Sequence, residues 1–149
     1  MTSCLRVIAG PGRDPALLFH IIYVSVNALA PHQRSRRREA IHEVRHVFLD
    51  ADHAAQDVLD AIEASTELPN PSYVLWSSPG RAHLFWRVSR FTCDTVEALE
   101  RHLARKLGTD PAATACTQVT RLPGFVYLKS PISRSCGKCQ GFWALSMRR

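Results

Sequence analysis

Two aspartates, Asp50 and Asp52, close the apolar run Val47-Phe48-Leu49 with a single alanine between them. In an extended strand alternate side chains leave on the same side, so this spacing projects both carboxylates together from the strand's end. Like charges held that close repel unless a cation neutralises them. A hard divalent ion, Mg²⁺ or Mn²⁺, is the partner that suits a small cluster of oxygens. The competing reading is a strand that runs into a polar turn, with both acids solvated or Asp52 capping the next helix.

Two further groups carry positive charge. The stretch Ser77-Ser78-Pro79-Gly80-Arg81-Ala82-His83 sets a fixed guanidinium and an imidazole beside a tight turn, a combination that can grip phosphate oxygens from Ser78, Arg81 and His83. Later, Arg121-Leu122-Pro123-Gly124, followed by Lys129, places two cations around a second rigid turn. Each of these read alone is equally a surface turn. A third basic segment, Arg34-Ser35-Arg36-Arg37-Arg38, is too charged for the core. It is either a solvated loop or a contact to nucleic-acid phosphates through the arginine forks. Acids that hold metal and cations that hold phosphates are together what phosphoryl or nucleotidyl transfer requires.

The composition agrees with a polyanionic partner. Net charge is +6 over 149 residues, with 46% hydrophobic residues, enough for one globular domain with a real core. Mean hydropathy of -0.12 excludes a membrane protein. The five cysteines are odd in number and scattered, so a reducing compartment, the cytoplasm, is expected rather than a disulfide framework. Cys136-Gly137-Lys138-Cys139 is half a zinc site without a second pair in reach. The apolar run from Ala16 to Ala30 mimics a secretory leader, but His20, Tyr23, Ser25 and Asn27 interrupt it and a strand is the better reading.

The elements that must position these groups follow from periodicity. Residues 1–19 are expected to be loosely ordered, with a short helix opened by Pro15. A first strand is predicted over 20–27 and a central one from Val44 to Asp50. An amphipathic helix follows over 53–64, with Ala54, Val58, Leu59 and Ile62 inward. Tyr73 to Ser77 and Ala82 to Val88 form a hairpin with His83, Phe85 and Arg87 on one side and Leu84, Trp86 and Val88 on the other. Asp94 is the predicted N-cap of a helix over 95–107 that Gly108 stops, and a strand-like segment covers Gln118 to Arg121. The result is an α+β fold, a mixed or antiparallel sheet with the helices on one side. Residues 20–130 form the core, and 131–149 lack periodicity and read as an irregular tail.

In this order and spacing, Val47 to Asp52, Ser77 to Trp86, and Arg121 to Phe125 with Lys129 resemble the archaeo-eukaryotic primase superfamily, most closely the plasmid RepB-type primase and primase-polymerase domains of bacterial mobile elements. The resemblance implies an RRM-like catalytic core carrying a two-metal nucleotidyl-transfer site that uses Mg²⁺ or Mn²⁺. It implies single-stranded DNA template and nucleoside triphosphates as partners, with a replicative helicase alongside, and primer synthesis in plasmid replication as the activity. Asp50 and Asp52 match the metal-binding acids, His83 with Arg81 the phosphate contact, and Arg121 and Lys129 the later basic residues. Arg34, Arg36, Arg37 and Arg38 would touch the nucleic acid. Asp110 is available as the third acid, whereas Ala115 and Gln118 stand where relatives often carry Asp and Arg. The alternative is a catalytically degenerate nucleic-acid-binding module of the same fold. Asp110 decides between them: farther than roughly 8 Å from the Asp50/Asp52 pair, it would be too distant to share a two-metal cluster.

Overall fold

The computed structural model describes residues 23–122 and the backbone of 145–147. The helix predicted at Pro15, Lys129, Cys136, Cys139 and the tail apart from 145–147 lie outside the described residues; 145–147 form a strand where an irregular tail is expected, because they pair with Tyr73 to Leu75.

The chain is built on β3 (Ile41–Ala51), an eleven-residue strand whose inner stretch Val47-Phe48-Leu49 is fully buried. It begins three residues earlier than its apolar content predicts. β5 (Arg81–Phe91) pairs antiparallel along it, β4 (Tyr73–Ser78) pairs with β5, and β2 (Ala28–Leu29) covers only the start of β3. With β7 (Leu145–Met147) on the far edge, the order is β2-β3-β5-β4-β7. A separate pair joins β1 (Tyr23–Ser25) to β6 (Val119–Arg121). All described pairings are antiparallel.

The hairpin turns where the sequence places it. Ser78 faces Arg81 across Pro79-Gly80, and Gly80 takes φ +76°, the left-handed backbone that a tight Pro-Gly turn demands. The strands run on to Ser78 and Phe91, beyond the predicted Ser77 and Val88.

Alternation then sorts the side chains. Val47, Leu49, Ala51, Val74, Ala82, Leu84 and Trp86 form one face of the sheet. Against it pack α1 (Ala55–Glu63), through Ala55, Val58, Leu59 and Ile62, and α2 (Cys93–Leu107), through Val96, Leu103 and Ala104. Each buried Val, Leu or Ile among them contributes roughly 1.5–3 kcal/mol of transfer free energy. Both helices lie on one side, as expected. The opposite face carries Phe48, Leu75 and Phe85, joined by Val26, Ala113 and half-buried Tyr73.

Three local expectations are corrected. The first strand is not continuous through residue 27: the chain leaves β1 at Ser25 and re-enters the main sheet at Ala28. The buried Asn27 side chain occupies the gap, its Oδ1 accepting from the Arg45 and His46 N–H groups and its Nδ2 donating to the Cys116 carbonyl. Ala54 is exposed rather than inward, because it sits at φ 48° as the cap of α1 and Ala55 N–H donates to the Gly80 carbonyl. The N-cap of α2 is Thr92, whose Oγ1 accepts from Thr95 N–H; Asp94 lies in the first turn and pairs with Arg38.

Candidate metal centre

Asp50 leaves β3 one residue before its end, directly opposite His83 of β5. Asp52 follows just past the strand, so the two carboxylates straddle buried Ala51 on the same side of the chain. The third acid arrives from elsewhere. α2 stops at Gly108 with φ 67°, the chain folds back over β3, and Asp110 N–H donates to the Asp50 carbonyl at 3.0 Å. Asp110 is fixed further by capping the short 3-10 turn Pro111–Ala113, its Oδ1 accepting from Ala112 N–H at 2.8 Å.

One ligand oxygen from each of Asp50, Asp52 and Asp110 lies within 4.8 Å of the others. Asp110 is therefore inside the reach that a shared cluster requires. The charge concentration has a price in ionisation. Burial, then the fields of Asp52 and Asp110, push the Asp50 carboxyl up to about 6, against the opposing fields of Arg121 and Arg81. Its Oδ1 is buried and accepts no hydrogen bond. A buried, partnerless carboxylate oxygen among two other carboxylates is the arrangement a hard cation completes, and the donor set is all oxygen. The residues present fit Mg²⁺ or Mn²⁺.

The cations surround this cluster. His83 Nε2 stands 3.6 Å from Asp50 Oδ1, too far for a hydrogen bond, and burial with the Arg121 field holds the imidazole down to about 4. His83 is thus neutral near neutral pH and forms no ion pair with Asp50. Its Nδ1 lies 2.7 Å from Thr120 Oγ1, which fixes the ring's orientation. Arg81 Nη1 is 3.9 Å from Asp52 Oδ1, with both side chains about half exposed (51% and 48%), so the pair is a loose one that water screens. Ser78 sits across the turn from Arg81. Arg121, opposite Tyr23 in the β1–β6 pair, is near enough to act on both Asp50 and His83.

The structure thus brings Asp50, Asp52, Asp110, Arg81, His83 and Arg121 to one end of the sheet. It does not bring the basic segment there. Arg34, Arg36 and Arg37 are exposed in the segment before β3, whose first residue, Ile41, lies roughly 30 Å from Asp50 along the extended strand. Arg38, also exposed, pairs with the start of α2, its Nη2 on Asp94 and its Nη1 on Glu97. Two residues that hold the site escaped the sequence reading. Thr120, on a three-residue strand, gave no signal. Glu100 did: it falls four after Val96 and three before Leu103, on the inward stripe of α2. Its Oε1 accepts from Phe48 N–H at 2.8 Å, steadying β3 two residues before Asp50.

With this geometry in place, comparison with known proteins is decisive at the family level. The RepB DNA-primase N-terminal domain matches residues 19–143. The chain belongs to the RepB primase family. Among solved structures, the AEP domain of the cyanophage S-2L primase-polymerase superposes with a TM-score of 0.55 at 23% identity, covering 72% of this chain and 56% of that one. Primase RepB′ superposes with a TM-score of 0.54 at 20% identity, covering 87% and 38%. The catalytic domain of RepB′ in complex with initiator DNA gives 0.50 at 21% identity, covering 72% and 49%. The chain therefore spans between 38% and 56% of the structures it matches, and the likeness is one of fold. No curated protein matches the sequence. No described helix is long and apolar enough to cross a membrane.

Proposed function

We propose that this chain is the nucleotidyl-transfer core of a primase, joining nucleoside triphosphates into a short primer on single-stranded DNA during replication of a plasmid or other mobile element. The observation that carries this reading is the Asp50–Asp52–Asp110 cluster with its partnerless Asp50 oxygen. Membership of the RepB primase family and the DNA-bound RepB′ relative support it.

Asp50, Asp52 and Asp110 would hold two Mg²⁺ or Mn²⁺ ions. When bound, such ions polarise the α-phosphate and lower the pKa of the attacking hydroxyl. The protein's own groups do the rest. His83, neutral and oriented by Thr120, donates from Nε2 to a phosphate oxygen without adding charge that would compete with the metals. Arg81, held only loosely by Asp52, turns to the triphosphate from the solvent side, with the Ser78 hydroxyl across the same turn. Arg121 offsets the negative charge beside Asp50 and His83, and Lys129 is assigned as a further phosphate contact. Arg34, Arg36 and Arg37 contact the nucleic acid farther along, and a replicative helicase supplies the opened template.

The test is incorporation of labelled nucleotide on a single-stranded template with Mn²⁺, beside the double variant Asp50→Ala/Asp52→Ala. Incorporation should fall by at least about a thousandfold, since metal-borne stabilisation of several kcal/mol is removed. Incorporation that survives the double change would sink the catalytic assignment. Template binding without incorporation in either protein would favour the degenerate binding module, a reading that Ala115 and Gln118 suggest and the nearness of Asp110 weakens.

A further inference from the structure

At the end of the sheet remote from the acids, an open groove of about 750 Å³ crosses β3, β5 and β4. It shares a face with the metal centre: His46, Phe48 and Asp50 alternate along β3, and Arg87, Phe85 and His83 lie opposite them in turn. Tyr73 stands in the groove with one side of its ring stacked on Phe85, centroids 4.6 Å apart and planes 18° apart. His46 meets Tyr73 edge-on at 5.4 Å. Burial keeps the His46 imidazole below its ordinary value, and its Nδ1–H donates to the Val26 carbonyl at 3.0 Å, which leaves Nε2 an acceptor.

The rim is basic. Arg45 is compensated by Glu43 at 2.8 Å, but the exposed Arg87 has no carboxylate partner among the described residues. Beyond it β5 bulges, with Val88, Ser89 and Arg90 between Arg87 and Phe91 set against Arg45 alone between His46 and Val44. Within the bulge Arg90 takes φ 65°, a left-handed backbone that an L side chain rarely adopts. Bulges of this kind redirect side chains, and Arg90 too is exposed and without a carboxylate partner among the described residues.

We infer that this groove is a binding site for single-stranded nucleic acid, in which an unpaired base lies against Tyr73 and His46 while Arg87 and Arg90 hold the flanking phosphates. Flat rings beside unpaired guanidinium groups are the chemistry of single-strand recognition: every base offers a face to stack, and the backbone supplies the charge. The inference rests on the proposed function and extends it. From His46 to Asp50 is four residues, about 13 Å of strand. That is the length of roughly four stacked nucleotides. A strand lying along this face would place one nucleotide at the acids and another in the groove.

The experiment is fluorescence anisotropy of a labelled oligothymidylate against the full chain in EDTA, where no transfer can occur, so the result is independent of catalysis. Arg87→Glu and Arg90→Glu should each weaken binding about tenfold and flatten the salt dependence by about one unit of slope. Tyr73→Leu should also weaken it, with thermal unfolding run beside it because Tyr73 packs on Phe85. Parent-like affinity in both arginine variants overturns the site, even if the incorporation assay upholds catalysis. Weakened binding in them upholds the site, even if incorporation survives Asp50→Ala/Asp52→Ala. If a duplex of the same length competes as well as the single strand, the stacking assignment is overturned.

Discussion

Asp50 pays for its position in proton affinity. A carboxyl raised from 3.8 to about 6 by burial and two neighbouring acids holds its proton more tightly in the folded chain than in the unfolded one. Without metal, the stability linked to this group is therefore full below about pH 4 and is lost as pH rises through about 6. Asp50→Asn removes the charge, and the metal-free protein should gain about 1–3 kcal/mol near neutral pH, read as a rise in thermal midpoint. The same variant should no longer bind Mn²⁺ by calorimetry. In the parent, Mn²⁺ affinity should fall with pH below about 6, close to tenfold per unit, because the ion must displace that proton. A flat profile there would mean that Asp50 is not a ligand. The Asp50/Asp52 pair and the hairpin His83 were legible because alternation in a strand is a strict rule. The neutrality of His83 was not, since burial and the approach of Arg121 from a distant strand create it.

Among elements, α2 does two jobs, and only one was visible in its periodicity. Val96, Leu103 and Ala104 pack it on the sheet, while Glu100, on the same stripe, reaches β3. Burial pushes the Glu100 carboxyl up to about 8. It is therefore protonated in the folded protein near neutral pH, and the linked stability is lost as pH rises from about 4.5 through about 8. Between about pH 6.5 and 8, above the range of Asp50, urea unfolding should show a decline in stability that Glu100→Gln abolishes. Glu100→Ala, which leaves the buried Phe48 N–H without its acceptor, should cost about 1–3 kcal/mol below about pH 4.5, where the linked stability of the parent is full. Helix limits were read to within two residues, and the misplacement of the α2 cap has a plain cause. Thr92 and Asp94 are both good caps, and the choice fell to Thr92 because Asp94 is drawn to Arg38, distant in sequence.

Over the whole molecule, β3 acts as a spacer, with exposed arginines before its start and carboxylates at its end. Because the two ends are far apart, their contributions should be independent. Changing Arg34, Arg36 and Arg37 together to Ala should weaken template binding and its salt dependence while leaving Mn²⁺ affinity within about twofold. A change in metal affinity would mean that the two ends communicate. The grouping of acids and cations could be anticipated from their order along the chain. Strand order could not, because the short β1–β6 pair and the split at Asn27 rest on contacts between residues roughly ninety positions apart.

That split leaves the edge of β3 away from β5 without a strand beyond β2 among the described residues, yet several of its polar groups are taken: Asn27 accepts from the Arg45 and His46 N–H groups, Glu100 accepts from Phe48 N–H, and the Asp50 carbonyl receives Asp110 N–H. A bare edge of this length would invite a second extended chain to add itself to the sheet. Here the side chains and loop that shape the acidic cluster also cover part of that edge. The acidic cluster can thus stand open at the end of the sheet while the strand that carries it offers less purchase for self-association.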